Sequence, residues 1–197
     1  EVKTVERGQK LFQQLKVPES RYSLKVDDAF RYLENLEEGS FDTVLCLGTL
    51  YYMVEPYRLL KLMQKVAKEA VLLDTFTAAY AAVQGKDAPQ VYRSVTEENF
   101  KLPMLLTALT QPEKKDYRLP HSFPHSDKDL SLITLPTGAL LEIWFQSLRM
   151  RSTKIDWQEY QTRPCTYHDL VTPEQKKSSH WADVYTSGVR ISYLLKK

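Results

Sequence analysis

The segment at residues 41–76 largely determines the fold that the sequence predicts. It begins with the apolar run F-D-T-V-L-C-L-G at 41–48, continues into the amphipathic P-Y-R-L-L-K-L-M-Q-K-V-A-K-E at 56–69, and closes with A-V-L-L-D-T-F at 70–76. Two apolar runs of strand length around a helical period indicate a strand, a crossover helix and a parallel strand. In open sheets of this kind, ligands bind at the carboxyl ends of the strands. We therefore expect a functional rim just after the first strand, at Cys46, Leu47, Gly48, Tyr51 and Tyr52.

The residues before this segment are predicted to form two further strand–helix pairs. Strands are expected at 2–6 and 22–26, where β-prone residues precede an acid. A helix with Leu11, Phe12 and Leu15 on one face follows the first strand, and a helix at 29–36 follows the second. Residues 1–76 are thus predicted to be the first half of an α/β sheet.

The pattern changes after residue 76. Prolines at 89, 103, 112, 120 and 124 and scattered aromatics predict an inserted cap at 77–129, with one helix around 103–109. Residues 130–197 are predicted to complete the same α/β domain. They would add a helix at 140–148, a strand at 153–157, a polar loop at 163–179 and a final antiparallel strand at 184–195.

Composition sets broad limits on the function. The chain has 197 residues, 43% of them hydrophobic, which suits one globular domain. A net charge of +2 is too small to require a nucleic-acid partner and does not exclude RNA. The two cysteines, Cys46 and Cys165, lie far apart and favour a reducing, cytoplasmic location. Neither a signal peptide nor an apolar run of membrane-spanning length is visible, so no membrane association is expected.

Several residues near the predicted strand ends suit a nucleoside. Glu6 would accept hydrogen bonds from both ribose hydroxyls, or it is an exposed acid that favours a helix dipole. Asp28 would accept from an adenine amino group while the Ala29 amide donates to the ring, or Asp28 caps the next helix. Tyr51 and Tyr52 would stack on a ligand or belong to the rim of the core. The order of these residues along the chain is stronger evidence than any one of them.

This order and spacing resemble the class I S-adenosylmethionine-dependent methyltransferases, from their second strand to their seventh. Within that superfamily three stretches are similar to the tRNA wobble-uridine carboxymethyltransferase group: F-D-T-V-L-C-L-G-T-L-Y-Y with the following E-P, then I-T-L-P-T-G-A-L-L-E-I-W-F, and finally Y-T-S-G-V-R-I-S-Y-L-L-K-K. The resemblance covers most of the chain outside 77–129. It implies a Rossmann-like α/β sheet that is mostly parallel with an antiparallel last strand, an inserted cap, and S-adenosylmethionine as cofactor.

The resemblance also implies roles for individual residues. Glu6 would hold the ribose, Asp28 with Ala29 the adenine, and Leu47 would pack near the cofactor. Tyr51 would lie near the amino-acid part or the transferred group. Arg190 falls where the carboxymethyl-transferring relatives bind an extra carboxylate.

Two departures from the relatives bear on the reaction. The relatives' histidine is Tyr52 here, and their basic residues upstream of the first strand have no counterpart, so ordinary methyl transfer is favoured over carboxymethyl transfer. The chain also contains no G-x-G turn, the feature through which such enzymes bind the methionine part. We therefore expect the family's first strand and helix to lie upstream of Glu1; the alternative is a degenerate homologue.

Substrate residues are expected to face the cap. The candidates are Tyr52, Tyr80, Tyr92, Tyr117, His121 and His125, none of which the sequence singles out as a general base, so the catalytic residues stay unassigned. No metal site is predicted: Pro124 separates His121 from His125, and Cys165 with His168 has no matching second pair. The absence of a G-x-S-x-G elbow argues against a serine hydrolase.

Three hypotheses follow. The first is an S-adenosylmethionine-dependent methyltransferase, with a small-molecule acceptor favoured over RNA. The second is a non-catalytic methyltransferase-like binding subunit that has lost its cofactor loop. The third, a nicotinamide-dependent oxidoreductase, is disfavoured by the missing glycine fingerprint and the antiparallel last strand. The oligomeric state stays open.

Overall fold

The structure is a computed structural model of the chain that describes residues 2–83, 97–110, 122–125, 128–161 and 181–197. It divides into two compact units, Glu1–Leu36 and Glu37–Lys197, each of which is described by itself. Several predictions concern residues outside the described ranges: Tyr92, Tyr117, His121, Cys165, His168 and the polar loop at 163–179. The side chain of His125 lies outside them as well.

The first unit is helical. It contains α1 (Val2–Gln14), a 3-10 turn (Glu19–Arg21) and α2 (Ala29–Glu34). The helices predicted around Leu11 and from residue 29 are confirmed, but the strands predicted at 2–6 and 22–26 are wrong. Val5, Gly8 and Phe12 are the half-buried positions of α1, and their spacing of three and four residues is that of one helix face.

Residues 22–26 pack against α1 without joining a sheet. The rings of Phe12 and Tyr22 lie 4.5 Å apart between centroids, and a Cβ on Gly8 would be 3.1 Å from Leu24 Cδ1. This extended segment thus packs against a helix instead of pairing with another strand. A β-rich pattern alone does not supply the neighbouring strand that a sheet needs.

The second unit contains the predicted strand–helix–strand segment. It consists of β1 (Phe41–Leu47), α3 (Pro56–Val66) and β2 (Ala67–Phe76), and β1 pairs with β2 in parallel. Pro56 occupies the first turn of α3, where its missing N–H costs no hydrogen bond. The prediction for residues 41–76 is therefore confirmed.

The later elements of the sheet layer are α6 (Gly138–Ser147), β6 (Arg151–Lys154) and β7 (Arg190–Lys196). The two strands complete a four-stranded mixed sheet with the order β1-β2-β7-β6. The last strand, β7, is antiparallel to both of its neighbours, so β6 runs in the same direction as β1 and β2. The result is an α/β architecture whose last strand is antiparallel, as expected.

Two of these strands have different bounds from those predicted. β6 ends at Lys154, so most of the predicted strand at 153–157 is loop. β7 begins only at Arg190, because the residues before it form α7 (Asp183–Thr186) and a turn. Gly188 in that turn has a φ of 75°, a left-handed conformation that interrupts an extended strand.

A second, antiparallel sheet contains β3 (Leu105–Thr110), β4 (Ser122–His125) and β5 (Lys128–Pro136) in the order β3-β5-β4. The helix predicted around 103–109 is wrong. Leu106 pairs with Leu135 and Ala108 with Ile133, so the partner of β3 lies about 30 residues further along the chain. Such non-local pairing overrides local helix propensity. Two short helices, α4 (Ala78–Val83) and α5 (Glu97–Phe100), lie between β2 and this sheet in sequence.

The two faces of the four-stranded sheet differ. The closed face carries Cys46, Leu73 and Tyr193 in one cross-strand row, all at most 4% exposed. It packs against α3 and α6, with the rings of Phe145 and Tyr193 5.1 Å apart. The open face carries Leu45 and Leu47, which are 61% and 54% exposed. Within the described ranges, no helix is long and apolar enough to cross a membrane.

Candidate functional site

A polar cluster lies on the open face where β1 and β2 end and β7 begins. Gly48 directly follows β1, Asp74 lies near the end of β2, and Arg190 is the first residue of β7. The antiparallel direction of β7 explains this meeting, because it pairs Arg190 with Phe76 and Ser192 with Asp74. Together with Tyr51, the residues Gly48, Asp74, Phe76 and Arg190 are called the rim site below.

An ion pair forms the centre of the rim site. Arg190 donates from Nε to Asp74 Oδ1 at 2.5 Å, and Nη2 contacts the same oxygen. Burial alone would lower the pKa of Arg190, but the Asp74 carboxylate outweighs it and holds the pKa above its usual value. A guanidinium has five donors, so the pair with Asp74 leaves others for a ligand. The Arg190 side chain is 25% exposed, against 9% for Asp74.

Polar groups from β7, from the loop after β6 and from α7 surround the Asp74 carboxylate. Ser192 Oγ donates to Asp74 Oδ2 at 2.7 Å, and Trp157 Nε1 donates to Ser192 Oγ at 3.3 Å. Burial, followed by the nearby Asp74 carboxylate, raises the pKa of Tyr185. Asp74 thus accepts hydrogen bonds from Arg190 and from Ser192, which compensates for its burial.

Gly48 lets the side chains of Arg190 and Tyr51 approach the backbone closely. Its φ is 68°, in the left-handed region, and its N–H donates to the Asp74 carbonyl at 2.9 Å. A Cβ at this position would lie 3.2 Å from Arg190 Nη2 and 3.7 Å from Tyr51 Oη. Both the backbone conformation and the crowding therefore favour glycine.

Tyr51 is the aromatic wall of the rim site. Its ring centroid lies 5.0 Å from that of Phe76 and 4.3 Å from that of Tyr52. Burial raises the pKa of Tyr51 well above its usual value, and its hydrogen bond with Tyr52 adds to the effect. The phenol therefore stays protonated at neutral pH, where it can donate or orient but cannot act as a base.

The small sheet supports this wall. Tyr51 packs in one cluster with Ile133 and Leu135 of β5, and Thr134 Oγ1 donates to the Met53 carbonyl at 2.7 Å. Tyr80 and Leu106, which belong to the predicted cap, pack against the same cluster. The domain boundaries predicted at 76/77 and 129/130 stay predictions; β5 spans the second of them.

The structure brings together five of the predicted site residues. Tyr51 and Arg190 belong to the rim site, Tyr52 contacts Tyr51, and Tyr80 stacks on Phe76 at 3.9 Å with planes 17° apart. Leu47 pairs in register with Asp74 and is half exposed. Their assigned roles toward a cofactor or an acceptor remain predictions.

Glu6, Asp28 and Ala29 belong to the first unit. Glu6 lies within α1, so its expected place at a strand tip is wrong; its side chain is exposed. Asp28 is the N-cap of α2, where its Oδ1 accepts from the Arg31 amide at 3.0 Å. The capping role that the sequence allowed is therefore confirmed, and Ala29 is the first residue of that helix. Their convergence with Tyr51 on a nucleoside stays a prediction.

The sequence-based prediction missed Asp74, Ser192 and Trp157. The signal for Asp74 was present, since an acid inside the apolar run A-V-L-L-D-T-F is unusual in a core strand. Ser192 and Trp157 gave no such signal, because their contact depends on the pairing of β6 with β7. Among the residues described, no three His, Cys, Asp or Glu side chains are grouped so as to hold a metal ion.

Comparisons with known proteins leave the family open: no protein-family model matches the chain, and no curated protein is significantly similar to it.

Proposed function

We propose that this protein is an S-adenosylmethionine-dependent methyltransferase that acts on a small molecule. The observation that carries the proposal is the rim site. A glycine with positive φ, an aromatic wall and an Arg–Asp pair meet at the carboxyl end of two parallel strands, the place where open α/β sheets bind ligands. The sequence resemblance and the antiparallel last strand support the same assignment.

The charges of the rim site match the methionine part of this cofactor. An α-amino acid carries one ammonium and one carboxylate, and the rim site offers one carboxylate, Asp74, beside one guanidinium, Arg190. Gly48 lets Arg190 and Tyr51 approach the backbone at the end of β1, where open α/β sheets bind ligands. Tyr51 would lie beside the transferred group, and its phenol would be uncharged.

The Asp74–Arg190 pair also favours methyl over carboxymethyl transfer. Arg190 would already face two carboxylates, that of Asp74 and that of the methionine part, so an additional carboxylate on the transferred group would need a further cation there. Burying a carboxylate without a counterion is costly. A neutral methyl group makes no such demand.

The chemistry required of the protein is modest. When bound beside Asp74 and Arg190, S-adenosylmethionine would supply an electrophilic methyl group that the acceptor's lone pair could attack, with the carbon–sulfur electrons going to sulfur and the acceptor's proton going to solvent or a base. The protein's residues then have to orient the acceptor and exclude water. The neutral Tyr51 suits orientation.

Calorimetric titration of S-adenosylhomocysteine into the intact protein tests the proposal. We expect saturable binding that Arg190→Gln weakens by about tenfold or more, because the variant loses a charge-assisted contact. The control is Arg151→Gln, an exposed arginine on the neighbouring β6, which should bind like the unchanged protein. Circular dichroism confirms that both variants fold. Absence of binding by the unchanged protein would reject the proposal and favour the non-catalytic binding subunit.

A further inference from the structure

Four aromatic rings form a cluster beside the rim site. Trp157, Tyr160, Trp181 and Tyr185 lie with neighbouring ring centroids 5.0–6.1 Å apart. Tyr160 is 47% exposed and Trp181 is 50% exposed. These four residues are called the aromatic patch. Grouped aromatic side chains of which some are half exposed are characteristic of a binding surface.

A hollow of about 330 Å³ lies between the aromatic patch and Arg190 of the rim site. It is lined by Trp157 and Tyr185 from the patch and by Arg190 from the rim site, together with Lys154, Asp156 and Gln158. Arg190 separates the two places: its Nη2 faces Gly48, and its guanidinium lies 5.8 Å from the Tyr185 ring. A ligand in the hollow would therefore be a near neighbour of a ligand on the rim site.

Ring geometry limits what the aromatic patch can hold. Trp157 and Trp181 meet edge to face at 81°, and Trp181 and Tyr185 at 80°, with centroids about 6 Å apart or less. Rings in direct contact leave no space between them for a cation enclosed on several sides. A ligand must instead lie against the exposed surface of the rings, which suits a flat molecule.

Charge around the hollow favours a neutral ligand. Lys154 and Asp156 have opposite charges, and Asp74 already neutralises Arg190. The volume is at the lower end of the range for small-molecule sites, enough for one or two fused rings. Polar groups at the edge, including Gln158, can bind a hydroxyl or amine substituent.

We propose that the acceptor is a neutral, planar aromatic or heteroaromatic small molecule that stacks on the aromatic patch and occupies the hollow beside Arg190. The inference rests on the proposed function and adds the substrate class. Stacking would hold the ring, and the polar edge of the hollow would hold the substituent.

Ligand-observed NMR with three small alcohols of different chemistry tests the inference. The probes are 2-naphthol, its saturated analogue decahydro-2-naphthol, and choline, each added to the intact protein with and without S-adenosylhomocysteine. We expect 2-naphthol to bind best. The double variant Tyr160→Leu/Trp181→Leu removes the two exposed rings beside Trp157 and Tyr185, which line the hollow, and should weaken 2-naphthol by about tenfold. Tyr57→Leu, which removes an exposed tyrosine on α3, should change nothing.

The outcomes separate the two claims. Equal binding of decahydro-2-naphthol or choline, or 2-naphthol binding that survives the double variant, would overturn the aromatic acceptor. Titration of S-adenosylhomocysteine into the same samples tests the proposed function independently, because the double variant removes no residue of the rim site. If the double variant does not fold, Tyr160→Leu alone replaces it, since that ring is exposed and its removal should weaken 2-naphthol about fivefold.

Discussion

The two faces of the four-stranded sheet come from the same strands and have opposite roles. On the closed face, Leu73 is fully buried, whereas Leu45, one strand away on the open face, is 61% exposed. The open face instead carries Asp74 and Arg190, whose charges would be costly on the closed face. The closed face thus contributes most of the stability, and the open face carries the proposed chemistry. The residues of the two faces nevertheless alternate along the same apolar sequence runs.

The largest expected effect distinguishes the two faces with one chemical change. Leu73→Ala should lower the free energy of unfolding by about 3 kcal/mol, because it removes buried surface and leaves a cavity. Leu45→Ala, the matched control, should change it by less than about 0.5 kcal/mol. Urea unfolding followed by circular dichroism measures both. Equal losses would mean that the open face is buried in solution.

The second prediction concerns charge on the open face. Asp74→Asn should lower the free energy of unfolding by about 2 kcal/mol, because it leaves the partly buried Arg190 without its counterion. Asp42→Asn removes a pair with Lys68 whose side chains are 79% and 61% exposed, and should cost less than about 1 kcal/mol. Urea unfolding measures the loss of stability in both variants. If both variants lost equally little, the ion pair would not be a structural part of the site.

Two glycines with similar backbone conformations sharpen the comparison. Gly48 and Gly188 have φ values of 68° and 75°, so alanine at either position should cost about 1 kcal/mol in stability. Only the Cβ at Gly48 would crowd Arg190 and Tyr51; at Gly188 nothing lies within 4 Å. Gly48→Ala should therefore also weaken S-adenosylhomocysteine binding, while Gly188→Ala should not. Calorimetry measures the affinity of both variants for S-adenosylhomocysteine. Equal affinities would show that the close approach of Arg190 and Tyr51 to Gly48 does not matter for binding.

The smallest effect belongs to the closed face. Burial raises the pKa of Cys46 from 9.0 to about 12. The unfolded chain therefore loses this proton first as the pH rises, so the stabilisation is complete below pH 9 and declines above it. We expect about 1 kcal/mol of loss between pH 8 and 10 that Cys46→Ala abolishes. An unchanged alkaline slope in that variant would assign the loss to other groups.

Sequence patterns predicted the parts of the fold that local physics determines. The apolar runs of β1 and β2, Pro56 at the start of α3 and Asp28 at the cap of α2 each carry their own signal within a few residues. The strand prediction for residues 2–6 was wrong because β-prone residues also fit the face of a helix that continues beyond them. The helix prediction for the residues of β3 was wrong because the partner strand is distant in sequence.

The candidate site shows the same limit. Tyr51 and Gly48 were predicted because they follow a recognisable strand directly. The pairing of Asp74 with Arg190 joins residues 116 positions apart and depends on β7 entering the sheet beside β2. Nor could the sequence show that Trp157 approaches Ser192, because that contact requires the loop after β6 to fold over the start of β7.

A crystal structure of the intact protein with S-adenosylhomocysteine tests the central claim most directly. The account predicts that the amino-acid part of the ligand contacts Asp74 and Arg190 and that its sulfur lies beside Gly48 and Tyr51. A ligand bound elsewhere on the protein, with the rim site unchanged and unoccupied, would contradict it.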